Sequence, residues 1–194
     1  PNLAIGSPKD EQELRDLVVT GLGHPGPVAL LYPRDAGEDL ADREGAALEI
    51  GRGEVLRTGD DVLLVGFGPI VQRLLAVADE LGADDVAAGV INARWAKPLD
   101  EALIAEHAAG KRLVVTAEES AAMGGFGDGV LDALNRAGIH VPVLKVALAD
   151  GFVHHGAVED LRRQQRIDAP GILAQVREAL GASAKRTRSK VSAA

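Results

Sequence analysis

From Asp61 to Leu180 this chain alternates short apolar runs with longer amphipathic ones, and glycine marks several of the handovers. Asp61–Val65, Val86–Asn92, Arg112–Thr116 and Val141–Val146 have the length and β-branched content of strands. The spacing predicts helices over roughly Ile70–Leu81 and Leu99–His107, and from the cluster Gly124–Gly129 to about Ala137. Two closing helices are expected near Ala157–Arg163 and Pro170–Leu180. Strand, helix, strand, helix is the order of a parallel sheet with right-handed crossovers. The apolar runs do not alternate with polar residues, so the strands are buried on both faces. The expected fold class is therefore α/β, a three-layer sandwich around a mostly parallel sheet. Composition fits this: 46% of the residues are hydrophobic and only 3% aromatic, which leaves Val, Leu, Ile and Ala to fill the core.

The first 53 residues follow a different pattern. Ser7-Pro8-Lys9-Asp10-Glu11 opens a helix, with Ser7 as its cap and Pro8 at the first helical position. The helix runs through Leu14, Leu17 and Val18 to Gly21, and Gly26-Pro27 turns the chain into a strand, Val28–Tyr32. One helix and one strand cannot bury their own faces, so residues 1–34 read as the final crossover of a second α/β domain whose other strands lie outside the chain. Residues 35–53 are polar and glycine-rich and read as a linker, and 54–181 form the main domain. Residues 182–194 are small, polar and basic and are expected to be disordered.

Charge narrows the partners. The net charge is -8, although Lys185, Arg186, Arg188 and Lys190 are concentrated at the end of the chain, so the body is more acidic still. Such a body repels a phosphate backbone, and no nucleic-acid partner is expected. No apolar run reaches the ~18 residues of a membrane span, and Pro1–Ile5 has no signal-peptide character. Cysteine is absent, which rules out both a disulfide framework and a thiolate nucleophile and fits a cytoplasmic location.

Several motifs offer chemistry, each beside a plainer reading. Gly66-Phe67-Gly68 sits between strand and helix like a dinucleotide fingerprint, but Val71 occupies the third glycine position and no acidic residue ends the next strand; it reads as a structural turn. Gly124, Gly125 and Gly127 belong to a cluster whose amides can cradle a phosphate, yet Glu118 and Glu119 just upstream disfavour an anion, and close backbone packing is the preferred reading. Asn92, Arg94 and Lys97 lie where open α/β sheets bind ligands; Arg94 and Lys97 can equally pair with Glu118 and Glu119, while Asp100 caps the next helix. His154-His155 has no third ligand at a metal-site spacing. The residues alone thus yield an anion-capable Arg34 and no complete catalytic set.

The wording of five ordered blocks adds to this. "GPVALLYPRD" (26–35), "VINARWAKPLD" (90–100), "VVTAEESAAMGGFGDGV" (114–130), "GIHVPVLKVALADGFVHHG" (138–156) and "IDAPGI" (167–172) resemble the C-terminal portion of the 1-deoxy-D-xylulose-5-phosphate synthases, a branch of the transketolase family. The resemblance implies an enzyme that condenses pyruvate with glyceraldehyde 3-phosphate on thiamine diphosphate and Mg²⁺, for isoprenoid and thiamine synthesis. It implies a homodimer in which residues 1–34 end a pyrimidine-binding domain and 54–181 form the C-terminal domain, a fragment inactive alone. The ligands for thiamine diphosphate and Mg²⁺ would belong to N-terminal segments outside this chain. It assigns Arg34, with Tyr32 nearby, to the acceptor's phosphate. Arg94, Lys97, Asp100, Glu118, Glu119, Gly124, Gly125 and Gly127 keep the structural or interface roles read from the residues themselves. Leu31, Asp35 and Ala149 depart from the family's usual Arg, Gly and Pro. A transketolase, a 2-oxoacid dehydrogenase β-subunit and a stand-alone dimerisation module are the alternatives.

Overall fold

The computed structural model describes the chain except for Pro1, Asp35, Ala36, Glu38, Asp39, Asp42 and residues 192–194, with only the backbone described over 183–191. Elements are numbered along the chain. The main unit contains β3 (Glu54–Arg57), β4 (Val62–Gly66), α2 (Ile70–Ala83), β5 (Ala88–Asn92), β6 (Trp95–Lys97), α3 (Glu101–Ala108), β7 (Leu113–Ala121), α4 (Phe126–Arg136), β8 (Val143–Leu148), α5 (Val158–Gln164) and α6 (Ala169–Val191). Five of the strands form one sheet in the order β3-β5-β4-β7-β8. All neighbours in it are parallel except β3, which runs antiparallel to β5 at the edge.

Val62, Leu63, Leu64 and Val65 of central β4 are all buried, because successive side chains point to opposite faces and both faces are covered. On one face Val62 and Leu64 join Ile70, Leu74, Val77 and Leu81 of α2 and Ile172 and Val176 of α6. On the other, Leu63 and Val65 join Ile104 and Ala108 of α3 and Val130 and Leu134 of α4. The α/β three-layer fold expected from the sequence is thus present, with element boundaries within a few residues. The expected strand Arg112–Thr116 is longer, reaching Ala121. The backbone of the closing helix continues to Val191, beyond Leu180 and into the segment whose composition predicts disorder. Its Ala, Lys and Arg residues are good helix formers. Among the described residues, no helix is long and apolar enough to cross a membrane.

The N-terminal segment contains β1 (Ala4–Gly6), α1 (Glu11–Gly23) and β2 (Val28–Leu30). The strand at Ala4–Gly6 was not evident in the sequence. It pairs parallel with β2 and antiparallel with β6, so a short sheet β2-β1-β6 bolts this segment to the main unit. Asp10, not Ser7, caps α1, accepting the Glu13 amide at 2.7 Å. The stretch read as a linker has no helix or strand among its described residues. Part of it is nevertheless tied to α1: the buried Asp16 carboxylate takes both Arg43 nitrogens at 2.6 and 2.9 Å and the Ala46 amide at 2.8 Å. Thr20 accepts the Leu48 amide at 2.8 Å.

Candidate functional site

In an open parallel sheet the chain leaves one strand and later returns on its other side, and ligands favour the crevice outside the carboxyl ends of the strands there. Here that point lies between β4 and β7, because the chain moves from β4 to β5 on one side and then crosses back to β7 on the other. An open cleft of about 210 Å³ sits against it, lined by Phe67, Pro69, Glu119 and Ser120 from the strand ends and by Ser7, Leu31, Tyr32 and Pro33 from the N-terminal segment. Of the Gly66-Phe67-Gly68 turn, Phe67 lines the cleft. Gly68 lies at φ +86°, and a Cβ there would meet the Ser7 hydroxyl at 2.5 Å, so the turn is filled by the chain itself. Phe67 stacks on Phe126 at 5.3 Å.

The Leu31-Tyr32-Pro33-Arg34 block leaves β2 exposed at all four residues, Tyr32 at 62%. Its origin is fixed firmly: the Leu31 amide donates to Gly6 O at 2.9 Å, and the Ser7 hydroxyl donates to Leu31 O at 2.6 Å. Among the described residues Arg34 has no hydrogen-bond or ion-pair partner. Its guanidinium is therefore available to an anion from outside, and its fork geometry suits a phosphate or carboxylate. Asp35 lies outside the described residues.

The glycine cluster is occupied from within. Glu118, 2% exposed at the carboxyl end of β7, accepts the Phe126 amide on one carboxylate oxygen and the Gly127 amide on the other, each at 2.8 Å. Ser120 also donates to it. These are the first free amides of α4, the ones a phosphate would need. Both Gly125 and Gly127 are crowded by this chain itself, Gly125 by a backbone carbonyl and Gly127 by side chains. A Cβ at Gly125 would lie 2.3 Å from Ala121 O, and one at Gly127 would lie 2.6 Å from Thr116 Oγ1. Gly124 is needed for its φ of +73° and has open space around it. Glu119 pairs with Arg73 at 2.8 Å and with the Arg162 Nε at 3.1 Å.

Arg94 and Lys97 do not pair with Glu118 and Glu119 as the sequence suggests. β5 and β7 flank β4 on opposite sides, so their ends stand two strand spacings apart, roughly 10 Å. Arg94 instead reaches Glu13 of α1, Nε to Oε1 at 2.7 Å, and Glu54 at 3.1 Å. Lys97 is exposed, with no ion-pair partner among the described residues. Asp100 does cap α3, accepting the Leu103 amide at 3.2 Å, and also takes the Gly53 amide at 3.1 Å.

Around Glu13 a junction forms that sequence reasoning missed. Its carboxylate, 2% exposed, collects Asn92 Nδ2 at 2.9 Å, Arg94 Nε at 2.7 Å and the Lys9 amide at 2.7 Å. Arg94 is held at φ +59°, a left-handed conformation that costs energy unless neighbours impose it. Burial pushes the Lys9 ammonium down, but Glu13, Asp10 and Glu54 outweigh it and its pKa is raised. Burial likewise pushes Glu54 up, and Lys9 and Arg94 outweigh it, so the Glu54 carboxyl sits below its ordinary value. Partners 79 and 81 positions apart leave no local signal in a sequence.

Comparison with known proteins agrees with this architecture. The family model described as "Transketolase, C-terminal domain" matches residues 51–172. Relatives named 1-deoxy-D-xylulose-5-phosphate synthase include one from Microcystis aeruginosa, 45% identical over 179 residues, and one from Thermomicrobium roseum, 45% identical over 174 residues. The matches cover 91% and 89% of this chain and 28% of each relative, so the chain spans under a third of their length. A solved structure described as a split-gene transketolase in an inactive β4 tetramer superposes with a TM-score of 0.80 at 31% identity, covering 93% of this chain and 59% of that one. A transketolase from Campylobacter jejuni, at TM-score 0.67 and 17% identity over 92% of this chain and 26% of its own, shares the fold.

Proposed function

Because this chain belongs to the transketolase C-terminal-domain family, we propose that it forms the C-terminal part of a 1-deoxy-D-xylulose-5-phosphate synthase. The whole enzyme would condense pyruvate with glyceraldehyde 3-phosphate, releasing carbon dioxide, for isoprenoid precursor synthesis. Residues 1–34 would end a pyrimidine-binding domain, 35–53 would connect it, and 54–181 would be the C-terminal domain. Helix α1 supports membership in a larger assembly. Its buried face carries Leu17 together with Gln12, Glu13, Asp16 and Thr20, while Val18, Val19 and Leu22 are 43%, 39% and 84% exposed. An apolar face turned outward is covered when further protein packs on it. The assembly we propose is a homodimer, which analytical ultracentrifugation of the whole enzyme would test.

Thiamine diphosphate with Mg²⁺ would supply the carbanion chemistry in such an enzyme. The residues present do not fit that group. The amides best placed for a phosphate, at Phe126 and Gly127, are taken by Glu118. Among the described residues no cluster of His, Cys, Asp or Glu could hold the metal. Its binding would fall to other segments of the enzyme.

The observation that carries the substrate reading is Arg34, exposed, unpartnered among the described residues and four residues beyond the carboxyl end of β2. In the whole enzyme Arg34→Ala removes one charge-assisted contact to the acceptor's phosphate, worth about 1.5–3 kcal/mol. KM for glyceraldehyde 3-phosphate should rise roughly ten- to a hundredfold, with KM for pyruvate nearly constant. Equal damage to both substrates would show that Arg34 is structural.

A further inference from the structure

We propose that Ser7 is a positioning residue for Arg34, fixing the point from which the Tyr32-Pro33-Arg34 segment departs. This rests on the reading of Arg34 as the phosphate-binding residue. Three parts of the chain converge on Ser7, at Arg94, Leu31 and Gly68. Its amide donates to Arg94 O at 2.9 Å, which ties it to the main unit. Its hydroxyl donates to Leu31 O at 2.6 Å, three residues before Arg34. The preceding residue, Gly6, accepts the Leu31 amide at 2.9 Å, so both backbone groups of Leu31 are pinned. On its third side Ser7 abuts Gly68, where a Cβ would come within 2.5 Å of the hydroxyl.

Beyond Leu31 the segment is exposed and has no helix or strand. Nothing downstream within the described residues grips Arg34, so its position is inherited from Leu31. Arg94 is itself immobilised by Glu13 and Glu54. A path of direct contacts thus runs from the buried Glu13–Arg94 pair through Ser7 to Leu31 and on to the guanidinium. Ser7 is only 5% exposed, although the sequence offered it as a helix cap. Asp10 fills that role, which leaves the hydroxyl to the Leu31 carbonyl. Loss of this hydrogen bond frees the segment's origin, and a guanidinium that must recognise a phosphate through a fixed fork loses affinity when its base moves.

The test uses the whole enzyme that carries this chain and reads one quantity, the ratio of kcat/KM for glyceraldehyde 3-phosphate to kcat/KM for unphosphorylated glyceraldehyde. Ser7→Ala should lower that ratio about fivefold, the equivalent of one neutral hydrogen bond. Ser7→Cys, which keeps the volume and a weak donor, should fall between. In an Arg34→Ala background, Ser7→Ala should have no further effect on the ratio, because the group it positions is gone. A Ser7→Ala loss that hits both acceptors alike, or that persists in full in the Arg34→Ala background, overturns the proposal. If Arg34→Ala lowers the ratio and Ser7→Ala does not, positioning is wrong and the phosphate reading stands. If Arg34→Ala itself leaves the ratio unchanged, both fall together.

Discussion

Glu118→Gln is the sharpest probe of why the glycine cluster has the form it has. Each carboxylate oxygen of Glu118 takes one backbone donor, Phe126 on one side and Gly127 on the other, both at 2.8 Å. Whichever oxygen becomes an amide nitrogen will face an N–H, so one hydrogen bond is lost and two donors are opposed in a site 2% exposed. The charge at the N-terminus of α4 is lost as well. A hydrogen bond to a charged group is worth about 1.5–3 kcal/mol, and a partly buried charge at a helix N-terminus adds roughly 0.3–1 kcal/mol. The substitution should therefore cost about 2–4 kcal/mol. In a chain of this size that lowers Tm by roughly 5–15 °C and the urea midpoint by about 1–2 M at unchanged m. Thermal and urea unfolding of the purified protein read both. A variant within about 0.5 kcal/mol of wild type, which is the range of ordinary surface changes, would refute the argument.

Gly125→Ala places a methyl 2.3 Å from Ala121 O and 2.5 Å from a Glu118 oxygen and should cost more than the ~1–3 kcal/mol of ordinary overpacking. Gly129→Ala, four residues on within α4 and with nothing within 4 Å, should stabilise by about 0.5–1 kcal/mol; equal effects in differential scanning calorimetry would break this contrast. Burial pushes Asp16 up, but its hydrogen bonds from Arg43 and the Ala46 amide and the charge of Arg43 outweigh it, so its carboxyl titrates below the ordinary value. A depressed carboxyl contributes stability that is present above the unfolded pKa of about 3.9 and is lost as pH falls through the folded one. Asp16→Asn should thus narrow the stability difference between pH 7 and pH 3 in urea titrations, and an unchanged difference would count against the Arg43 pairing.

The parallel sheet was legible because its signals are local: β4 is a continuous apolar run, β5 is one up to Asn92, β7 opens on one at Leu113, and β8 is apolar apart from Lys145, with longer amphipathic stretches between them. Asp100 as a cap was legible for the same reason, its acceptor lying three residues ahead at Leu103. The strands missed were β1, β3 and β6, of three or four residues each, too short to show an alternation. Each is defined by its partner rather than by its own composition. The misplaced salt bridges have the same origin. Arg94 and Glu118 stand near each other in the list of strand ends, and only the strand order, with β4 between them, separates them.

The junction around Glu13 shows why the least legible part of the chain matters most to the site. An acidic residue in the first turn of a helix is ordinarily solvated, where it complements the helix dipole, and nothing in Asp10-Glu11-Gln12-Glu13 marks the last as buried. It is buried because β1 adds to β6, and that pairing brings the N-terminus of α1 onto the ends of β3 and β5, where Asn92, Arg94 and Glu54 already stand. Removing one partner from such a pair leaves an unpaired buried charge, which typically costs about 3–5 kcal/mol, although the intact pair itself adds little net stability. An ionic cluster of that kind is better explained by what it orients than by what it stabilises. Here it orients Arg94, Arg94 holds Ser7, and Ser7 holds the segment that ends in Arg34.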